Sequence, residues 1–288
     1  MFENRKIAFI GPGVMAEGII AALIRRQVAG PENISVAGPR PERGEELMVK
    51  YGIKFFVENR EAVIHADIVI LSVKPQRLDR VMAGLKDQIK PDALVLSIVA
   101  GASINKLSNG LGHLRIVRSM PNTPGQVGAG ITVWTASAEV TLEQHEMARR
   151  ILSAMGEQVY VEEENYLDMA TALSGTGPAY VFLFMEAMVD AGVHLGFPRR
   201  IAEQLVIQTV RGSVEFYLHR QDPVHLAKMR NDVTSPGGTT AAALYFLEKA
   251  GFRTAISRAV WAAYERSREL GRGGKSHDPE LKDSKGSD

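Results

Sequence analysis

The chain of 288 residues contains no cysteine. This absence excludes disulfide bonds, thiolate metal sites and thiol nucleophiles. The seven histidines are scattered without the spacing of a known zinc motif, so we predict no metal site. Any catalytic chemistry therefore has to come from other side chains, from the backbone or from a bound organic cofactor.

A strong charge of one sign and long apolar runs are also lacking. The formal net charge is +1, and no basic stretch is interleaved with aromatic residues, which argues against a nucleic-acid partner. The first apolar stretch is interrupted by Gly11, Pro12 and Gly13, and no later run reaches membrane-spanning length. We therefore expect a cytoplasmic protein with no membrane partner, and its length suggests two domains.

A short apolar strand near the N-terminus runs directly into a glycine-rich turn. The strand spans residues 5–10, and the turn Gly11-Pro12-Gly13 leads into an apolar helix. This pattern is typical of a dinucleotide-binding unit, in which Gly11 makes the turn, Gly13 admits the pyrophosphate and Ala16 lets the helix pack on the strand. A plain strand-to-helix turn is the alternative interpretation. The residues predicted to bind the cofactor here are Gly11, Gly13, Val14 and Met15.

The end of the second predicted strand, residues 34–37, bears on which cofactor is used. Sites for NAD usually place an acidic residue there to bind the ribose 2′-hydroxyl. This chain instead continues as Gly38-Pro39-Arg40-Pro41-Glu42-Arg43. Arg40 and Arg43 could bind a 2′-phosphate, so we predict NADPH, with NADH possible. Both arginines could equally be solvated residues at the start of a helix.

Strands and helices alternate over about the first 160 residues, which is the pattern of a doubly wound parallel sheet. Further strands are predicted at 67–73, 93–99 and 114–120, and the sheet is expected to close with 157–161. The loops after the first three are predicted to line the cofactor site, because ligands bind beyond the carboxyl ends of such strands. The residues expected there are Val73, Lys74, Pro75, Ala100 and Gly101, although Lys74 could also be a solvated strand terminus.

From residue 166 onward the apolar residues recur at helical spacing. We predict three parts: an NAD(P)-binding Rossmann-type sheet domain at 1–164, an all-α substrate-binding and dimerisation domain at 165–271, and a disordered tail at 272–288. A helical domain of this size would leave apolar faces uncovered in a monomer, so a homodimer is expected.

A turn rich in glycine and hydroxyl groups precedes the predicted helix 239–250. It reads Thr234-Ser235-Pro236-Gly237-Gly238-Thr239-Thr240. A helix start has unpaired N–H groups and the positive end of the helix dipole, so a small carboxylate or phosphate can bind there. The alternative is an ordinary N-cap, with Ser235 or Thr240 satisfying the donors of the helix itself.

Five segments give the chain a strong resemblance to the pyrroline-5-carboxylate reductase family over nearly its whole length. They are Phe9-Ile10-Gly11, Val73-Lys74-Pro75, Met120-Pro121-Asn122-Thr123-Pro124, the run from Ser174 to Tyr180, and the run from Val233 to Thr240. The resemblance implies reduction of the cyclic imine L-1-pyrroline-5-carboxylate to L-proline with NADPH or NADH, by homodimers or rings of dimers. It also implies roles for single residues: Thr240 would hydrogen-bond the ring nitrogen, Ser235, Gly238 and Thr239 would hold the substrate carboxylate, and Asn59 would lie near the adenosine end of the cofactor.

Two other functions remain open from the sequence. One is a carbonyl or hydroxy-acid reductase of the same architecture, against which Val181 argues, because it stands where such enzymes carry a catalytic lysine. The other is a non-catalytic NADPH-sensing regulator, which would have no need for a second anion-binding turn beside the cofactor.

Overall fold

The computed structural model describes residues 5–220 and 222–271, so the tail predicted at 272–288 lies outside the described residues. Two compact units can be separated. The first comprises the chain up to Gly175 together with the stretch that begins at Ala263, and the second comprises Thr176–Ala262. The predicted domain boundary at residue 164 follows the end of the sheet and stays a prediction.

The first unit is built on one eight-stranded sheet. Its strands are β1 (Ile7–Ile10), β2 (Ile34–Ala37), β3 (Lys54–Phe56), β4 (Ile68–Leu71), β5 (Leu94–Ser97), β6 (Ile116–Met120), β7 (Gly130–Ala136) and β8 (Gly156–Tyr160). They lie in the order β3-β2-β1-β4-β5-β6-β7-β8. All neighbours are parallel except β6 and β7, which are antiparallel. The predicted Rossmann-type sheet is confirmed, and β3 and β7 are strands that the sequence analysis did not predict.

Helices cover both faces of this sheet. They are α1 (Val14–Arg25), α2 (Pro41–Tyr51), α3 (Asn59–Val63), α4 (Pro75–Leu85), α5 (Ile104–Leu111), α6 (Leu142–Ser153) and α7 (Tyr166–Ala170). Alternate residues of β1 enter different cores: Ile7 and Phe9 join the cluster with α1 and α6, while Ala8 and Ile10 join the cluster with α4 and α5. This is why β1 is an uninterrupted apolar run, as expected for a strand that is buried on both faces.

The second unit is helical, as predicted. After a π-helical turn at Thr171–Gly175 come α8 (Gly177–His194), α9 (Arg199–Leu218), α10 (Leu226–Asp232), α11 (Thr239–Lys249) and α12 (Phe252–Gly271). A small cluster of Val189, Ala202 and Val206 joins α8 to α9. Large apolar side chains on these helices stay exposed in the single chain, among them Phe182, Leu183, Phe246 and Trp261.

An ion-pair network within the first unit ties β6 to α7 and to the end of α12. The buried Arg118 pairs through Nη1 with Glu164 at 2.9 Å and through Nη2 with Asp168 at 2.8 Å. The Ser267 hydroxyl of α12 donates to the same Asp168 oxygen at 2.9 Å. Glu164 also accepts the backbone N–H of Ile104, the first residue of α5, at 2.7 Å. Four elements of the unit are thus joined at one buried guanidinium.

Candidate functional site

The residues predicted to bind the cofactor lie along one edge of the sheet. This edge is formed by the carboxyl ends of β3, β2, β1, β4 and β5, which are neighbours in that order. The predicted residues follow the same order: Asn59 after β3, Gly38 and Arg40 after β2, Gly11, Gly13, Val14 and Met15 after β1, Val73, Lys74 and Pro75 after β4, and Ala100 and Gly101 after β5. Such an edge, with the strand order reversing beside β1, is where doubly wound sheets bind dinucleotides.

The turn between β1 and α1 is closed by backbone contacts that only glycine permits. Gly11 has a φ of +105°, and a Cβ atom there would lie 2.8 Å from a methyl carbon of Val73. The Gly13 N–H donates to the Gly11 carbonyl at 2.8 Å, and the Ser72 hydroxyl donates to the same carbonyl at 2.9 Å. Ser72 was missed by sequence reasoning, although a small polar residue at the end of a buried strand is a recognisable signal.

The N-terminus of α1 is open to an anion. Gly13 is the N-cap, with φ −83° and ψ 176°, and no side chain accepts a hydrogen bond at this cap. The first N–H groups of the helix therefore point outward with the positive end of the helix dipole behind them. This arrangement fits the pyrophosphate of a dinucleotide.

The two arginines after β2 have different surroundings. Arg40 is exposed at the N-cap of α2, and the structure gives its side chain no ion-pair or hydrogen-bond partner within the described residues. Arg43 is engaged: it forms ion pairs with Glu17 and Glu46, and its Nε donates to the Pro12 carbonyl at 3.2 Å. Of the two, only Arg40 is free to meet a 2′-phosphate.

A carboxylate lies beside this glycine turn and is kept ionised. Glu17, in the first turn of α1, accepts hydrogen bonds from Lys50 at 2.7 Å and from the Tyr51 hydroxyl at 3.0 Å, and it pairs with Arg43. The Lys50 hydrogen bond, helped by Arg43 and Tyr51 and opposed by burial, lowers the pKa of Glu17 from 4.5 to about 2. Cationic neighbours thus balance the negative charge of Glu17 close to the anion-binding helix start.

The last two predicted cofactor residues are in different environments. Ala100 is partly exposed at the end of β5, whereas Gly101 is buried with a φ of +72°. A Cβ atom on Gly101 would lie 2.8 Å from the backbone N of Gly271 and 2.9 Å from the carbonyl of Ser267. Packing against the end of α12 therefore explains the glycine, and contact of Gly101 with the cofactor stays a prediction.

In the second unit, the turn before α11 has an open helix start like that of α1. Gly238 is the N-cap, with φ −78° and ψ 170°, and no side chain accepts a hydrogen bond at this cap. Gly237 has a φ of +70°, which favours glycine, and a Cβ atom on Gly238 would lie 2.5 Å from the Ser235 Oγ. The ordinary N-cap considered from the sequence is therefore not formed. Ser235 and Thr239 are exposed and Thr240 is half-buried.

Asn122 lies in one of the segments that carry the family resemblance, but sequence reasoning assigned it no individual role. Its side-chain amide donates to the Ser174 carbonyl in the π-helical turn at 3.2 Å and accepts the Ile131 N–H at 3.0 Å. Gly175 packs on the same segment, because a Cβ atom there would lie 2.5 Å from the Met120 Cε. The motif from Met120 to Pro124 therefore shapes the loop after β6.

Comparison with known proteins places these features in a family. The pyrroline-5-carboxylate reductase of Synechocystis sp. is 45% identical over 93% of this chain and 98% of its own length. This chain belongs to the pyrroline-5-carboxylate reductase family. The enzyme of that name from Pseudomonas aeruginosa is 41% identical over 92% of the chain and 96% of its own length.

Family models and solved structures agree with this membership. The model described as pyrroline-5-carboxylate reductase dimerisation matches residues 164–270, and one described as NADP oxidoreductase coenzyme F420-dependent matches residues 6–101. The crystal structure of Plasmodium falciparum pyrroline carboxylate reductase with NADP bound superposes with a TM-score of 0.86 at 33% identity, covering 94% of this chain and all of that one. The resemblance drawn from sequence motifs is confirmed.

Proposed function

We propose that this protein reduces L-1-pyrroline-5-carboxylate to L-proline with NADPH, the last step of proline biosynthesis. The observation that carries the proposal is the open start of α11, which offers unpaired N–H groups to a small carboxylate in a chain of this family. The substrate has one carboxylate and one carbon–nitrogen double bond, so an anion-binding turn and a hydride donor meet its chemical needs.

The cofactor-binding edge is proposed to hold NADPH, which supplies a hydride when it is bound. The start of α1 binds the pyrophosphate, and Arg40 binds the 2′-phosphate, since no acidic residue stands at the end of β2 to favour a free ribose hydroxyl. Val73, Lys74, Pro75, Ala100 and Gly101 form the nicotinamide end, with Gly38 and Asn59 at the adenosine end. NADH remains usable because the pyrophosphate site does not depend on the 2′-phosphate.

The turn before α11 is proposed to hold the substrate. The backbone N–H of Thr239 and the Ser235 hydroxyl bind the carboxylate, and Gly238 lets the carboxylate approach the backbone, since the Gly238 N–H itself donates to the Ser235 carbonyl at 3.0 Å. The Thr240 hydroxyl accepts the N–H of the protonated ring nitrogen. A protonated imine already carries the positive charge that attracts hydride at carbon. The product amine needs no strong general acid, which is consistent with Val181 in the place of a lysine.

Replacing Thr240 with alanine tests this assignment. The hydroxyl binds a charged ring nitrogen, so its loss should lower kcat by about tenfold or more, while NADPH binds as in the wild type. The assay follows oxidation of NADPH by its absorbance and proline formation by amino-acid analysis. The matched control is Thr254→Ala on the exposed face of α12. Wild-type kinetics in Thr240→Ala would refute the role of Thr240.

The same assay separates the alternatives. A hydroxy-acid reductase would oxidise NADPH with a keto acid and not with pyrroline-5-carboxylate, and a regulator would bind NADPH without consuming it. Formation of proline from the imine is expected, and its absence with the wild-type protein would refute the proposed function.

The residues that match the family model for dimerisation include the helices with exposed apolar side chains. The sequence-based expectation that no apolar run reaches membrane-spanning length was wrong for one helical stretch of the described residues. Tyr166–His194 is long and apolar enough to cross a membrane by length and composition, and only 11% of its most apolar segment is buried in the single chain. We assign this apolar surface to a second copy of the chain, in a cytoplasmic homodimer. Assembly of dimers into a ring is a further proposal, which light scattering of the purified protein tests.

A further inference from the structure

Arg43 connects three parts of the cofactor-binding edge. It lies in α2, its side chain is only 20% exposed, and its guanidinium pairs with Glu17 of α1. Its Nε donates to the carbonyl of Pro12, at the tip of the turn between β1 and α1, at 3.2 Å. The guanidinium also pairs with Glu46 of its own helix at 2.7 Å, so it could reach a 2′-phosphate only by leaving these partners.

Pro12 is held from two sides. On one side is the hydrogen bond from Arg43; on the other is Gly38, where a Cβ atom would lie 2.5 Å from the Pro12 Cδ. Pro12 is buried, and the next residue, Gly13, is the N-cap from which α1 begins. The position of Pro12 thus sets the position of the first N–H groups of α1.

Arg43 also offsets the negative charge of Glu17 near the proposed pyrophosphate site. Glu17 lies in the first turn of α1, where an uncompensated carboxylate would repel a bound pyrophosphate. The ion pair with Arg43 and the hydrogen bond from Lys50 offset that charge. Loss of Arg43 would therefore both loosen the turn and strengthen the negative field at the anion site.

We infer that Arg43 is a positioning residue for the cofactor, which fixes the Gly11-Pro12-Gly13 turn and sets the affinity for NADPH and NADH alike, while Arg40 distinguishes the two. This inference rests on the proposed function, since it takes NADPH as the ligand of this edge. The pyrophosphate is common to both cofactors, and only the 2′-phosphate differs. An effect through the turn must therefore be equal for both cofactors, whereas an effect through the 2′-phosphate must be confined to NADPH.

Calorimetric titration of the substrate-free protein with NADPH and with NADH tests the inference without relying on activity. Arg43→Ala should raise both dissociation constants by the same factor, about tenfold. Arg43→Lys keeps a positive charge beside Glu17 but lacks the Nε–H that donates to Pro12, so it should raise both by an equal but smaller factor. The Arg43→Lys variant also tests the inference if the Arg43→Ala variant does not fold. Arg40→Ala should raise the constant for NADPH only.

Arg149→Ala is the matched control, because Arg149 pairs with Glu146 in α6 at 2.7 Å, outside the cofactor-binding edge. It should leave both constants unchanged. A loss confined to NADPH in Arg43→Ala, or wild-type affinity in either Arg43 variant, would overturn the inference. If the wild-type protein bound neither cofactor, the proposed function itself would fail. Normal binding by the wild type with no change in the variants would refute only the role of Arg43.

Discussion

Asp168→Ala should lower the free energy of unfolding by about 3 kcal/mol, because it removes one of the two carboxylates paired with the buried charge of Arg118. The Arg118 side chain is only 5% exposed, whereas those of Glu164 and Asp168 are 33% and 20% exposed. Arg118 therefore needs its partners to compensate its buried charge, whereas water can partly compensate the charges of Glu164 and Asp168. This asymmetry makes Asp168 the informative position.

The magnitude follows from the contacts that are lost. The bond between Arg118 Nη2 and Asp168 Oδ1 is 2.8 Å long, and a hydrogen bond to a charged group contributes about 1.5–3 kcal/mol. The Ser267 hydroxyl loses its acceptor on Asp168, which adds about 1 kcal/mol. Glu164 stays paired with Nη1 at 2.9 Å. The total should therefore lie toward the lower end of the about 3–5 kcal/mol that breaking a buried ion pair costs.

Urea and thermal denaturation at one fixed protein concentration measure this loss, since the stability of the proposed dimer would depend on concentration. The unfolding temperature should fall by about 6–12 °C. Asp190→Ala is the matched control, because Asp190 pairs with Arg199 at 2.8 Å on an exposed surface. It should change stability by less than about 1 kcal/mol.

Equal losses in the Asp168→Ala and Asp190→Ala variants would refute the reasoning, because Arg118 would then be hydrated rather than buried. A second substitution sharpens the result. Adding Arg118→Met to Asp168→Ala removes the charge that lacks a full set of partners. The double variant should therefore lose less free energy of unfolding than the sum of the losses in the two single variants. Simple additivity would show that the two side chains are not coupled.

Two other predictions concern Gly101 and Glu17. Gly101→Ala should lower the unfolding temperature, because φ is +72° and the new methyl group would meet the backbone of Ser267 and Gly271. Gly84→Ala is the control and should not lower it, because Gly84 lies in an open part of α4. Equal effects of the two substitutions would contradict the packing assigned to Gly101. The pKa of Glu17 is lowered to about 2, so its contribution to stability is present above about pH 4.5 and is lost as the pH falls toward 2. Glu17→Gln should therefore make the urea midpoint less dependent on pH in that window, and an unchanged pH profile would contradict the ion pair.

Local patterns in the sequence are sufficient for most of the fold. The turn between β1 and α1 is encoded by three consecutive residues, Gly11-Pro12-Gly13, and the structure places them as predicted. β3 has only three residues, which is too short to show a period. β7 follows the glycine-rich loop after Pro121, and its antiparallel pairing with β6 depends on a chain reversal that strand periodicity does not reveal.

Interactions between residues far apart in sequence could not be predicted from local sequence patterns. Arg43 could bind a 2′-phosphate or be solvated as far as the sequence shows, whereas its partner in the structure, Glu17, lies 26 positions earlier in another helix. Gly101 was assigned to the cofactor because it follows a strand, but the atoms that exclude a side chain there belong to Ser267 and Gly271. In both cases the residue type was informative, and only the fold shows which neighbour requires it.

The two proposed ligand sites use the same backbone device, and the contrast with other helices explains why. Gly13 and Gly238 have nearly equal backbone angles, and neither helix start is capped by a side chain. In α5 and α6, by contrast, Ser103 and Thr141 accept hydrogen bonds from the third helical residue. A hydroxyl cap stabilises a helix by occupying an N–H group that an anion would otherwise bind. Other helices, among them α2, α3 and α4, also begin without a side-chain cap, so an open helix start does not by itself mark a ligand site. What α1 and α11 add is a glycine N-cap, which keeps the donors available and lets a ligand approach the backbone closely.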